Sequence, residues 1–205
     1  MPVGEQAYSL EVAKLHAVAQ RTSDERNRGE MLNSELIYQR AEDTVQRCGT
    51  RKPDEIARTL GVTVYDDQPF EDLLGMYICR WKHRVVFLSG SLDEYLRDIV
   101  LAHELGHDAF HRKLAGGNGL QEFSLFDMRT ITEYEANAFA AHLLLDGDEV
   151  LSLAREGLDI QQMAQTMNTR MNLLLIKMQE MNRLGSDFRL PSPANGSFLK
   201  NERPV

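Results

Sequence analysis

The sequence is short of several things. Only two of its 205 residues are cysteine, Cys48 and Cys79, so no disulfide framework braces it. Neither belongs to a close Cys/His pair, so two free thiols are expected rather than a cysteine metal site. Positive charge is scarce as well. Against 31 Asp and Glu there are 23 Lys and Arg, a net charge of −8. Nucleic-acid binding normally needs a basic face, so direct binding of that kind is not expected. Long apolar runs are missing too. The most apolar stretch, AFAAHLLL at 138–145, falls far short of the ~20 residues that span a bilayer. The opening MPVGEQAYSLEVAK has no basic start followed by an apolar run, so no signal peptide is visible. A cytoplasmic protein without membrane attachment is the expectation.

What is present suits one domain with extensions: 42% of the residues are hydrophobic. Residues 1–30 read as an N-terminal extension, a helix SLEVAKLHAVAQ followed by the polar RTSDERNRGE. The compact domain is expected over 31–185, and the Pro-containing segment 186–205 as a mobile tail. Within the domain, SELIYQRAEDTVQRC has apolar residues at helical spacing. PDEIARTLG has Pro at the start and Gly at the end of a short helix. Then the period changes. VTVYDD (62–67), LGMYICR (74–80) and RVVFLSG (84–90) are rich in β-branched and aromatic residues and read as strands. The last two form a hairpin across Trp81, Lys82 and His83. Ser91 and Glu94 form a capping-box pattern that starts the next helix. After a Gly-rich break, helices follow in TEYEANAFAAHLLL, GDEVLSLARE, IQQMAQTMN and MNLLLIKMQEMNRL. The methionines of the last two sit at helical spacing and read as core rather than as an adaptable surface. The fold class is α+β, mostly helical around a small sheet of about three strands.

One stretch carries chemistry: LAHELGHDAFH, 101–111. On a helix, His103 and His107 at i and i+4 lie on one face and can reach one ion. Zinc takes imidazole nitrogen and prefers four ligands, so two histidines leave such a site incomplete. Glu104 is too near in the chain to join both as a ligand. It is placed to hold a water as general base, with an ion lowering the water's pKa and polarising a carbonyl. The bare pattern is not specific, because a helix can carry two histidines for no such purpose. Gly106 adds context: a glycine inside a helix usually marks close packing, for instance against a sheet.

A third ligand has to come from elsewhere. The H-E-x-x-H-x-x-G-x-x-H pattern fails, since Phe110 and Lys113 stand at its Gly and final His positions. His111 is another turn along and reads either as a group that orients a ligand or touches substrate, or as a capping or surface histidine. Downstream, Glu133 and Asn137 are i and i+4 on one helix face. Glu133 would complete a His-His-Glu set, and Asn137 would hold the other ring nitrogen of a histidine. Glu135 is the lesser candidate. Zinc suits two histidines and a carboxylate, and manganese or iron fits the same set.

Taken together, HELGH and the downstream pattern Glu133-x-x-Ala136-Asn137-x-Phe139-Ala140-Ala141-x-Leu143-Leu144 resemble the ImmA/IrrE family of metallopeptidases. The upstream order, DEIARTLGVTV and then the strand pair, fits it as well. The resemblance covers roughly residues 31–180. It implies a zincin-like fold, with His103, His107 and Glu133 as metal ligands and Glu104 as catalytic acid/base. It also implies a gluzincin-like metalloendopeptidase of a phage, mobile element or stress regulon, whose protein substrate is a helix-turn-helix transcriptional repressor. The chain departs from the family at His142, where Glu is frequent, and at Leu145-Asp146, where Met-Pro is frequent. His142 is a further substrate-binding or supporting candidate, more readily a packed histidine. Folds of this kind bind peptides beside an edge strand, and the hairpin 74–90 is the expected edge.

Two other readings compete. A non-proteolytic regulator could bind a repressor or DNA, since IARTLGVTV and IQQMAQTMNTRMNLLLIKMQ have a helix-turn-helix flavour. The acidic balance opposes the DNA version. A purely structural metal site is opposed by Glu104, for which such a site has no use.

Overall fold

The structure is a computed structural model that describes residues 33–116, 119–123, 126 and 130–190. The expected helix at 9–20 and most of the C-terminal segment lie outside the described residues.

Helix α1 (33–48) buries Ile37 and Ala41. Helix α2 (Pro53–Leu60) opens on Pro53 and closes on Gly61, whose left-handed φ of 71° lets its N–H cap the last turn. Strands β1 (Thr63–Gln68), β2 (Gly75–Arg80) and β3 (His83–Ser89) follow. The hairpin turn is tighter than expected. His83 pairs with Arg80, which leaves only Trp81 and Lys82, both at positive φ. Two residues at positive φ match the twist that a tight hairpin needs.

Two expectations about the sheet are corrected. It has four strands among the described residues, in the order β1-β3-β2-β4. The fourth, β4 (Leu120–Glu122), has three residues, too few to show a period of two. The hairpin is also not an edge. β3 pairs with β1 on its far side, and β2 pairs with β4, so the edges are β1 and β4.

Helix α3 (Glu94–Phe110) crosses this sheet. Its start is also corrected. Asp93, not Ser91, caps it, accepting the Leu96 N–H at 2.7 Å, while the Ser91 hydroxyl bonds Ser89 at 2.9 Å. The helix runs along β2 in register. Gly75 lies against Val100 and Glu104, and the Tyr77 hydroxyl donates to Asp108 at 2.6 Å. Four helical residues rise about 6 Å and two strand residues about 6.7 Å, so the two steps match. Buried Asp108 also takes Arg84 at 3.0 Å and Arg112 at 2.8 Å.

Helix α4 (Ile131–Leu144) is capped by Thr130, whose hydroxyl accepts the Glu133 N–H. It crosses α3 where Gly106 meets Ala136. A Cβ on Gly106 would stand 2.8 Å from the Ala136 Cα. The close approach expected at this glycine is therefore to a helix rather than a sheet. Arg51 closes the far end of α4, donating to the carbonyls of His142 and Leu143 and pairing with Glu42 and Asp146. Helices α5 (Gly147–Arg155), α6 (Ile160–Thr166) and α7 (Met171–Arg183) complete the fold. Met163, Met178 and Met181 are buried in the core. Past α7, the Asn182 side chain clamps the Phe188 backbone with two hydrogen bonds. The architecture is the expected mostly helical α+β, zincin-like class. Among the described residues no helix is long and apolar enough to cross a membrane.

Candidate active site

The second half of α3 supplies His103 and His107, both buried, and the first turn of α4 supplies Glu133. One ligand atom from each lies within 4.8 Å of the others. Glu133 Oε2 is 3.2 Å from His103 Nε2 and 3.7 Å from His107 Nε2. Tetrahedral ligands at ~2.0–2.1 Å from an ion sit roughly 3.3 Å apart, so the spacing suits a shared cation. The spiral of one helix provides two of these groups, and the tight α3–α4 crossing at Gly106 brings the third.

The partners of the two rings decide where their lone pairs point. His103 Nδ1 lies 3.0 Å from Asn137 Oδ1; that oxygen can only accept, so Nδ1 carries the proton. His103 Nε2 then holds a lone pair, and it is buried without a hydrogen-bond partner. A relay sets His107. Glu135 Oε2 accepts from His111 Nε2 at 2.8 Å. With Nε2 donating to Glu135, His111 accepts at Nδ1 from His107 Nδ1, 2.9 Å away. His107 Nε2 is left as a lone pair facing Glu133. Glu135, which reads from sequence as a lesser ligand candidate, is the anchor of this relay, and His111 is its middle member.

The electrostatics follow from burial and these neighbours. Burial pushes His107 down to about 4, against the opposing pull of Glu133, so its ring is neutral and ligand-competent at pH 7. Burial acts downward on His103 too, but Glu122 and Glu133 outweigh it and lift it to about 10. Burial would raise Glu133, yet the two histidines hold it below the usual carboxylate range. Proton and cation thus compete for the same lone pairs, and binding an ion here releases a proton.

Glu104 stands beside the cluster. Both its carboxylate oxygens are buried without a hydrogen-bond partner. Gly75 makes the room for it: a Cβ there would meet Glu104 Oε1 at 2.5 Å. Burial pushes Glu104 up to about 8; His103 opposes this and Glu122 and Glu133 reinforce it. A carboxylate near neutrality suits both taking and returning a proton. Buried acceptors converging with no proton between them are costly unless a cation satisfies them. Once its proton is released, His103 joins neutral His107 and the Glu133 carboxylate in a donor set that fits a divalent metal.

Two residues here carry no sequence signal. Gly75 reads only as a strand residue. Glu122 Oε2 is 3.1 Å from His103 Nε2, but it sits on a strand too short to recognise. His142 goes elsewhere. It is nine residues beyond Glu133 on α4, about 13 Å along the axis. There its Nδ1 is 3.0 Å from buried Lys177 Nζ, and its ring meets Tyr38 edge-on. Burial first, and then Lys177, keep it neutral.

Over 110 residues the chain is 28% identical to "Uncharacterized immunity region protein 2" of Bacillus phage phi105, covering 54% of this chain and 68% of the phage protein. The IrrE N-terminal-like domain, a peptidase family, matches residues 52–178. That span runs from α2 into α7 and includes every cluster residue named above. The chain therefore belongs to the ImmA/IrrE family and carries a metallopeptidase-type domain.

Proposed function

We propose that this protein is a cytoplasmic zinc-dependent endopeptidase that cleaves one peptide bond of a protein substrate, a helix-turn-helix repressor encoded nearby. The observation that carries the reading is the convergence of the His103, His107 and Glu133 lone pairs with an unpartnered Glu104 beside them. Family membership supports peptidase chemistry, and the printed name of the phage relative, an immunity region protein, supports a repressor as substrate. Manganese or iron are the alternative occupants of this donor set.

His103, His107 and Glu133 would hold the ion, which supplies a lowered water pKa and a polarised carbonyl. The rest belongs to the protein. Glu104 takes a proton from water as the water oxygen bonds to the carbonyl carbon, and hands it to the amine as the C–N bond breaks. Asn137 and the Glu135–His111 pair keep both ring tautomers fixed, so the ligands need no rearrangement. Burial of His103, Glu104 and His107 excludes bulk water from the proton transfer. The edge of β4, beside the cluster, offers main-chain groups to an extended peptide.

The test is incubation of zinc-loaded protein with the repressor encoded beside its gene, read by intact mass. Two fragments from one cut are expected, lost with a chelator and regained with zinc. A repressor that stays whole but co-elutes with the protein would contradict the peptidase reading and favour the non-proteolytic regulator.

A further inference from the structure

One end of the molecule breaks the acidic character of the chain. Residues 73–92 and 109–121 contain no Asp or Glu, although the chain holds 31. The first stretch spans the β2–β3 hairpin. The second runs from the end of α3 through a short turn, Leu114–Gly116, into β4. The fold brings them together, since a Cβ on Gly116 would stand 3.7 Å from the Cys79 carbonyl oxygen. Between them they carry Arg80, Lys82, Arg84, Arg112 and Lys113. Arg84 and Arg112 pair with buried Asp108. Arg80, Lys82 and Lys113 are exposed and have no ion-pair partner among the described residues. Each stretch also shows a large apolar side chain beside its cations: Trp81 is 86% exposed and Leu114 60%. The Arg80 guanidinium lies 5.4 Å over the Trp81 ring. Trp81 and Lys82 hold φ of 48° and 70°, a conformation that Asn or Gly adopts at less cost. A tryptophan kept at such a position and bare to water points to contact with a partner.

We propose that this basic end is a docking surface for an acidic segment of a partner protein that also carries bulky apolar side chains. Arg80, stacked on Trp81, keeps its N–H edge for a carboxylate. The Trp81 ring and Leu114 take the apolar groups. Nucleic acid fits less well. A duplex extends its charge past the patch, and the rest of the chain repels it. The net charge is −8, and around the start of α3 Asp54, Asp66 and Asp98 share Arg97. A short acidic peptide meets the patch alone. The surface also continues the edge beside the active site. Leu120 of β4 pairs with Tyr77, and Trp81 is four residues farther along the hairpin, about 13 Å. An extended peptide laid on β4 covers that span with about four residues. On the peptidase reading, on which this one consequence rests, the partner is the substrate, and its acidic segment lies a few residues from the scissile bond. Docking itself needs neither metal nor cleavage.

Trp81 is the chain's single tryptophan, so its emission reports the surface without a label. The full chain, with and without zinc, is titrated with a short peptide that alternates Glu and Leu. The Lys–Leu counterpart and a DNA duplex are titrated in parallel. The Glu peptide is expected to move the emission saturably to shorter wavelength, less so at high salt, and the Lys peptide to leave it unchanged. Arg80→Glu combined with Lys82→Glu should weaken binding roughly tenfold or more, because two attractions become repulsions. Lys113→Glu, on the other stretch, should weaken it as well, with circular dichroism unchanged in both proteins. A wild-type emission that ignores the Glu peptide would overturn the proposal, as would charge reversals that leave its affinity intact. So would DNA that binds more tightly than the peptide, or emission that shifts on raising the protein concentration alone, the mark of a second copy on the surface. Docking that persists without zinc supports the surface and leaves the peptidase reading to its own test.

Discussion

Replacing Glu104 with Gln is expected to lower kcat/KM for repressor cleavage by about 10³-fold or more, the usual worth of a positioned general base. That is about 4 kcal/mol of transition-state stabilisation. The amide has the shape of the carboxylate but cannot take a proton from water. The side chain is wholly buried with both oxygens unpartnered. Bound metal should remain at the wild-type level, because Glu104 is not among the ligands that converge. Cleavage rate and metal content measured on the same preparation check this. Undiminished cleavage would remove Glu104 from the chemistry. Loss of metal would make it a ligand instead.

Gly106→Val should damage the molecule more than any other single change at the helix crossing. A Cβ at Gly106 meets the Ala136 Cα at 2.8 Å and its carbonyl oxygen at 3.0 Å. These are backbone atoms of a buried helix and cannot turn aside, so α3 and α4 must separate. Overpacking of this kind costs about 3 kcal/mol. In a domain of this size that is a fall in Tm of roughly 6–12 °C. The site suffers too, because two ligands ride on α3 and the third on α4. Zinc affinity should therefore drop along with stability, and Gly106→Ala should fall between Val and wild type in both. Thermal unfolding of the three proteins in chelator, with zinc affinity measured separately, checks the order. A Val variant as stable as wild type would mean that the two helices do not touch there.

How much of this was legible beforehand depends on how long a signal each element has. Helices such as α3 and α4 run over several turns, so their apolar spacing and the i, i+4 placement of His103 with His107 and of Glu133 with Asn137 can be read directly. The peptidase family was legible for the same reason, since its pattern extends through both helices. Strand β4 was not. Three residues after a glycine-rich break carry no period, and Glu122 and the true sheet edge were missed with it. Gly106 signalled close packing but could not name its partner, because a missing Cβ is equally useful against a sheet or a helix. The Ser91–Glu94 pattern misled because Asp93 competes for the same cap and Ser91 turns to Ser89. Glu135 reads from sequence only as the lesser ligand candidate. Only the folded arrangement shows that it reaches across to His111 and sets the tautomer of His107.

The central claim is that His103, His107 and Glu133 hold one divalent ion. Metal analysis of the purified protein beside Glu133→Ala tests it most directly. About one zinc per chain in wild type, absent from the variant while its fold persists by circular dichroism, is the predicted result. No metal in wild type even after reconstitution, or undiminished metal in Glu133→Ala, would contradict it.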